Sequence, residues 1–300
     1  MKIVITGFSG FVGKNLVRYL EKSNCLIQPL SLRNEGWKKT IDLNADAIIH
    51  LAGKAHDTKN TSDPSEYYKV NTNLTQEVFD WFLKSNTRDF IYFSSVKAVA
   101  DQVNDILYEN VVPAPQTPYG KSKQEAEHYI LSQTIPQGKR VFVIRPCMIH
   151  GPGNKGNLNL LYKVVKKGIP YPLATYHNER SFLSIENLNF MILQIINNTN
   201  VPSGIYNFSD DAFVATNDLI GIISKALDKK PRLLKIPKGI IKTIAKMGDI
   251  LKLPLNTERL NKLTENYRVS NQKIKKALNL NTLPISAEEG LWHTIKSFEK

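Results

Sequence analysis

Cysteine is scarce in this 300-residue chain, with Cys25 and Cys147 the two examples. They lie far apart and show neither pairing nor metal-ligand spacing. That sets aside a disulfide framework and a zinc site, and it fits core thiols in a reducing cytoplasm. Long apolar runs are also missing. None reaches the roughly 18 residues that a membrane span requires. The apolar stretch after Lys2 is too short for a secretory signal, so cytoplasmic residence is expected. Histidine forms no compact ligand group, His50 and His150 included, so no metal is expected. Internal repeats and low-complexity tracts are absent.

Acidic residues are in deficit. The chain has 27 Asp and Glu against 40 Lys and Arg, a net charge of +13. Much of the excess falls late, at Lys225, Lys229, Lys230, Arg232, Lys235, Lys238, Lys242 and Lys246. Few aromatics interleave with these residues, and no zinc-finger or RNP-like motif accompanies them, so no nucleic-acid partner is expected. At 42% hydrophobic and 22% charged, the composition is that of a globular protein and excludes a disordered chain.

What is present is an alternation of short apolar strands and amphipathic helices. Strands are expected at 2–6, 25–32, 46–52, 90–95 and 140–146, and helices at 12–22, 66–84 and from Thr117 to Leu131. Pro29 removes a ladder donor, so the second strand belongs at an edge or carries an irregularity. After Pro146 the texture changes to HGPGNKGNLN, then to helices mixed with short strands such as 180–185 and 204–209. The pattern predicts an α/β chain with a Rossmann-type, doubly wound, mostly parallel sheet. Residues 1–150 are expected to form mainly the dinucleotide-binding domain, given the glycine loop at Gly7, Gly10 and Gly13. Residues 151–300 mainly form a smaller mixed substrate-binding lobe, with some segments returning to the main sheet.

The first strand runs into Gly7, Gly10 and Gly13, followed at once by a helix. Glycine permits a tight turn and close approach of backbone to a pyrophosphate, and the helix N-terminus offers amides to the anion. Phe11 and Val12 open that helix beside the expected cofactor. A carboxylate after the second strand would bind the ribose hydroxyls of NAD. Ser31 and Arg33 stand there instead, with no acid until Glu35, which tilts the expectation toward NADP(H) over NAD(H).

Ser95 closes a strand at the sheet end where ligands bind in such folds. Tyr119 and Lys123 lie four apart on one helical face. A free phenol has a pKa near 10 and is poorly suited to proton transfer at neutrality, and a neighbouring ammonium lowers it. Lys123 also suits the nicotinamide ribose, Ser95 positions a carbonyl or hydroxyl, and Tyr119 exchanges a proton as hydride moves. A dinucleotide-binding sensor or scaffold would not need this trio.

With these residues in view the chain resembles the extended short-chain dehydrogenase/reductase family along nearly its whole length. GFSGFVG is similar to the family's cofactor loop, and HLAG places Leu51, Ala52 and Gly53 in its post-strand cofactor segment. Asn71 in KVNTNLT falls where the family has an asparagine supporting the active site. FSS ends at the residue implied as catalytic, Ser95, and PYGKSK supplies Tyr119 and Lys123. IRPCMIHGP at 144–152 and RSFLSIENL at 180–188 resemble the passage toward substrate.

Within the family the chain looks most like bacterial enzymes acting at C4 of UDP-N-acetylhexosamines in surface polysaccharide assembly. The matching stretches are KAHDTKNTSDPSEYYKVN, SSVKAVAD and ERLNKLTENYRVSNQKIKKALN. The resemblance implies a UDP-sugar substrate, with Ser95, Asn157, Leu158, Arg180 and Arg259 toward it, the two arginines as bidentate pyrophosphate partners. Val99–Ala100 departs from the Tyr–Gly of many relatives, and Lys97 replaces a small residue, as in a reductase-rich subgroup. The leading expectation is an NAD(P)H-dependent reductase of a 4-keto UDP-N-acetyl-deoxyhexosamine. The alternative is an NAD-dependent UDP-N-acetylhexosamine 4-epimerase. The apolar and basic stretch 236–255 leaves peripheral membrane association open, and a homodimer stays open as well.

Overall fold

A computed structural model of the chain describes residues 1–42, 44–54, 63–154, 156–252 and 255–299, without the side chains of Glu35 and Asn157. Eleven strands follow one another among these residues: β1 (Lys2–Thr6), β2 (Leu26–Leu30), β3 (Ala47–His50), β4 (Asp89–Phe93), β5 (Ile106–Leu107), β6 (Arg140–Pro146), β7 (Met148–His150), β8 (Glu179–Ser184), β9 (Gly204–Phe208), β10 (Phe213–Ala215) and β11 (Arg268–Val269). Six form a parallel sheet in the order β2-β1-β3-β4-β6-β9.

The order follows from burial. β3 and β4 are buried at every residue, as apolar strands covered on both faces must be. β2 is the edge, with Leu26 exposed and Pro29 placed where a missing donor is tolerated. One face of the sheet packs Ile3, Ile5, Ile49, Ile91 and Phe142 against the helices Phe11–Lys22 and Ile185–Asn197. The other packs Val4, Ile48, Phe90 and Val143 against Val78, Phe79 and Phe82 of the helix Leu74–Lys84. The strand order reverses at β1, whose neighbours are β2 and β3, so the crevice beyond the carboxyl ends of these strands is the ligand position of a doubly wound sheet.

The second half of the chain makes a small mixed sheet, β10-β8-β7, with its own core around Leu158, Tyr162, Phe182, Ile223 and Leu291. β9 leaves this lobe and pairs with β6 in the main sheet. β11 pairs with β5, which lies in the loop after Ser95, and Tyr267 donates its hydroxyl to the Ala100 carbonyl at 2.7 Å. The C-terminal lobe is thereby fastened to the turn that carries Ser95.

Candidate active site

Gly7 sits at φ +67° directly after β1, and its carbonyl accepts from Gly10 N at 3.0 Å. A Cβ on Gly7 would stand 2.6 Å from Ala52 N, and one on Gly13 would stand 2.4 Å from the Gly7 carbonyl oxygen and 2.6 Å from Phe8 Cα. The turn after β1 therefore abuts the turn after β3, and only glycine allows the helix Phe11–Lys22 to start so close to both. No side chain caps that helix at Gly10, and no acid occupies its first turn. The first-turn amides and the positive helix end are thus left to an anion. These residues fit a dinucleotide diphosphate. Phe11 and Val12 are half-buried against the core, and Asn15 donates to the Pro152 carbonyl at 3.3 Å, which ties the glycine loop to the second lobe.

The strip after β3 is held in layers. Thr6 Oγ1 accepts from Ala52 N at 3.1 Å and bonds His50 Nδ1 at 2.8 Å, and His50 Nε2 reaches Thr75 Oγ1 at 3.0 Å. Fully buried, His50 is pushed down to about 3 by desolvation and by the nearby Lys123 charge, so it is a neutral structural link. Asn71 accepts from Lys54 N at 2.7 Å and donates to Ser122 Oγ at 3.0 Å. It lies in a π-helical turn, Tyr68–Asn73, inserted between Pro64–Tyr67 and Leu74–Lys84. Such a turn shifts the helix register by one residue and is found mostly at functional positions. A Cβ on Gly53 would meet Asn71 Oδ1 at 3.1 Å and Lys123 Nζ at 3.2 Å, so this strip lies directly on the lysine.

The structure brings Ser95, Tyr119 and Lys123 together. Ser95 caps the short helix Val96–Ala98, its hydroxyl accepting from Lys97 N at 3.1 Å, and it hydrogen-bonds the Tyr119 side chain. Tyr119 and Lys123 fall in the first turns of the helix Pro118–Ser132, which starts at Thr117. Gly120 presses that helix onto the Lys97 carbonyl, where a Cβ would be 2.4 Å away. Lys123 is buried and donates to the Phe93 carbonyl at 2.8 Å. Burial lowers it to about 8, against an opposing pull from Glu127. The phenol of Tyr119 differs from the sequence expectation. Burial raises it, and the Ser95 hydrogen bond offsets part of that rise, while the Lys123 ammonium is turned to the Phe93 carbonyl.

Two supports were not anticipated. Asp101 accepts from Gln116 N at 2.7 Å and Thr117 N at 3.3 Å, fixing the approach to the tyrosine helix. Behind the lysine, Glu127 takes Arg145 Nε at 3.0 Å and the Ser94 hydroxyl, all three nearly or fully buried. Glu127 follows Lys123 by four residues, a spacing that could have suggested it.

The substrate-side residues are less uniform. Arg180 on β8 donates to the Lys262 carbonyl and lies 3.7 Å from Glu265, which joins it to the helix Thr257–Thr264 that carries the exposed Arg259. Leu158 is buried in the second core, so any contact it makes with substrate is through its main chain. Asn157 opens the helix Asn157–Lys166, and its side chain lies outside the described residues, as does part of the 54–71 stretch. Lys97 donates to the Asp101 carbonyl at 2.7 Å and sits 4.3 Å over the Tyr267 ring. Among the described residues no group of three or more His, Cys, Asp or Glu side chains is placed to hold a metal.

A Rossmann sheet with a glycine cradle and a Ser–Tyr–Lys trio at its carboxyl end defines an NAD(P)-binding oxidoreductase of the short-chain dehydrogenase/reductase type. Residues 3–208 match the NAD dependent epimerase/dehydratase family, and the chain belongs to it. It is related to bacterial UDP-sugar epimerases and nucleotide-sugar reductases. It is 29% identical over 318 residues to a UDP-glucose 4-epimerase of Vibrio cholerae, which spans 99% of this chain and 95% of the relative. The fold matches RMD from Pseudomonas aeruginosa complexed with NADPH at a TM-score of 0.77 and 21% identity, over 100% of both chains. It matches WbmG of Bordetella bronchiseptica in complex with NAD at 0.77 and 15% identity, over 100% of this chain and 94% of that one. MoeE5 in complex with UDP-glucose and NAD matches at 0.75 and 17%, over 100% and 99%.

The tilt toward NADP(H) is overturned. Most of the similar solved structures hold NAD, with RMD and its NADPH an exception. Ser31 and Arg33 sit exposed on the turn after β2, and an exposed arginine there is an ordinary surface residue that does not by itself select a 2′-phosphate.

Proposed function

We propose that the chain is an NAD-dependent 4-epimerase of UDP-sugars. The observation that carries this reading is the contact of Ser95 with Tyr119 beside the Gly53–Lys123 junction, at the sheet end that also holds the glycine cradle. Epimerisation is preferred to the reductase expected from the sequence because the Vibrio cholerae relative, matched end to end, is named a 4-epimerase.

When bound, NAD supplies the hydride acceptor and donor. The backbone at Gly7, Gly10 and Gly13 holds its diphosphate, Leu51, Ala52 and Gly53 line its path, and Lys123 holds the nicotinamide ribose. Tyr119 takes the proton of the sugar 4-hydroxyl at its phenolic oxygen and returns it when the 4-keto sugar is reduced on its other face. Ser95 holds the sugar oxygen at hydrogen-bond distance from that phenol. Asn71 and Glu127 keep the lysine in place. Arg180 and Arg259 meet the substrate pyrophosphate with the main chain at Asn157 and Leu158.

The test is turnover of UDP-glucose and UDP-N-acetylglucosamine by the purified protein with NAD. The expected result is interconversion with the 4-epimers without net cofactor oxidation. Tyr119→Phe should slow it by at least about 100-fold while leaving NAD binding intact. Stoichiometric oxidation of added NADH by a 4-keto UDP-sugar, with no epimer formed, would replace this reading with the reductase.

A further inference from the structure

We propose that the helix Lys238–Leu251 is a docking face for an anionic membrane surface. Its residues divide into three stripes at helical spacing. Ile241, Ala245 and Gly248 are buried and face the lobe, where Ile241 and Ala245 pack in one core with Leu260 and Ile236. Gly248 is pressed against the Leu255 carbonyl so closely that no Cβ fits. The helix is therefore fixed to the protein by its inner stripe, and its outer stripe is not part of that packing.

The outer stripe is apolar. Ile240, Ile244, Met247 and Leu251 repeat at intervals of four, three and four residues, which places them along one helix face. Their exposures are 53%, 44%, 51% and 60%, and the adjacent Ile250 is 80% exposed. With Leu233 and Leu234 just before the helix, this segment holds seven of the seventeen large exposed hydrophobics among the described residues. Isolated exposed apolar residues need no explanation, but a concentration on one element marks an interaction surface.

The third stripe is basic. Lys238, Lys242 and Lys246 repeat every four residues, all exposed, and none pairs with a carboxylate among the described residues. Lys252 follows at the C-terminal end of the helix. The helix has one acid, Asp249, and it is engaged by Thr257 N at 3.0 Å. Positions 228–252 hold eight cations and two acids.

The apolar row and the lysine row flank the outward face of the helix on opposite sides, with the exposed Ile250 between them, so a headgroup region lying against Ile250 takes apolar side chains on one side and lysine stems on the other. No helix among the described residues is long and apolar enough to cross a membrane, so the face suits a surface contact. The charge decides between occupants. A second copy of the same face would oppose two lysine rows, whereas anionic phospholipid complements both stripes.

The experiment is flotation of the full-length protein with vesicles of phosphatidylcholine alone, or of equal parts phosphatidylcholine and phosphatidylglycerol. Binding is expected on the anionic vesicles, weakened at about 0.5 M salt as screening shortens the reach of the charges. Each near-surface lysine is worth about fivefold in partitioning. A variant with Lys238→Gln, Lys242→Gln and Lys246→Gln should therefore bind about 100-fold more weakly, the order set by three such contacts. A variant with Ile244→Gln, Met247→Gln and Ile250→Gln should lose binding with an unchanged melting temperature, since all three side chains are exposed. In a separate protein, Ile250→Trp should add emission that shifts to the blue on anionic vesicles. Equal flotation of wild type and both triple variants, or no flotation and no blue shift, overturns the proposal. So does self-association without lipid that the Gln substitutions abolish, which would assign the face to a second copy.

Discussion

Asn71 clasps the main chain of Lys54 from both sides, accepting from its N–H at 2.7 Å and donating to its carbonyl at 3.1 Å. The same amide donates to Ser122, the residue before Lys123. One buried side chain thus links the strip after β3 to the helix that carries Tyr119 and Lys123. Asn71→Ala leaves several buried polar groups without partners and should cost about 1–3 kcal/mol of stability. It should also lower kcat by at least about tenfold, because Gly53 and Lys123 lose their shared wall. Thermal melts and steady-state turnover check both. A kcat unchanged alongside a lowered melting temperature would leave Asn71 a fold residue with no positioning role.

Gly10 and Gly13 of the first loop serve different ends, and alanine substitution should separate them. On Gly13 a Cβ meets only backbone, at 2.4 to 2.7 Å, so neither Gly7 nor Phe8 can yield cheaply. Gly13→Ala is expected to lose about 1–3 kcal/mol of stability together with NAD binding. On Gly10 the nearest atom is the Gly7 carbonyl oxygen at 3.3 Å. Gly10→Ala should melt near the wild-type temperature and still bind NAD poorly, because a methyl added to this turn narrows the backbone cradle proposed for the diphosphate. Calorimetric titration with NAD beside a melt distinguishes the two, and equal damage at both positions would contradict the assignment.

Acid stability should depend on His50. Its pKa falls from 6.5 to about 3 on folding, so the unfolded chain binds the proton more tightly. Its contribution is present in full above pH 6.5 and drains as pH falls toward 3, at up to about 1.4 kcal/mol per pH unit. Replacing it with a neutral side chain of similar reach, His50→Gln, should lower stability at pH 7 and flatten this acid limb. Denaturant midpoints from pH 7 down to 4 read the slope. An unchanged slope would show that other groups govern acid unfolding.

Much of this architecture is legible in one dimension because it repeats locally. The strands at 2–6 and 140–146 fall where apolar runs meet glycine and proline, and Pro29 marks the edge strand. The trio is legible for the same reason, with Ser95 ending a strand region and Tyr119 and Lys123 sharing a helix face. The π-helical turn at Tyr68–Asn73 is not, since a one-residue register shift leaves no composition signal. Nor is the Ser94–Glu127–Arg145 group, whose members lie 18 and 33 residues apart and meet only through strand order. Leu158 shows a missed cue. Leu158, Tyr162 and Val165 repeat at helical spacing and all three are core, which assigns the Leu158 side chain to packing and leaves only its main chain for a ligand.

Lys123 gives the last prediction, in which stability and activity separate. Burial brings its pKa from 10.5 to about 8, so from pH 8 to 10.5 the unfolded chain holds more protons than the folded one. Stability should therefore gain from this group as pH rises through that window, by at most about 3 kcal/mol. Lys123→Met keeps the length of the side chain and removes the titration, so its stability curve should lack that gain. Turnover should fall by at least about 100-fold, since a methionine cannot hold the nicotinamide ribose. Chemical denaturation at pH 7.5 and pH 10 measures the first effect and an epimer assay the second. A variant that keeps the alkaline gain would show that the lysine is not titrating in its buried site, and the geometry at Phe93 and Gly53 would then need another explanation.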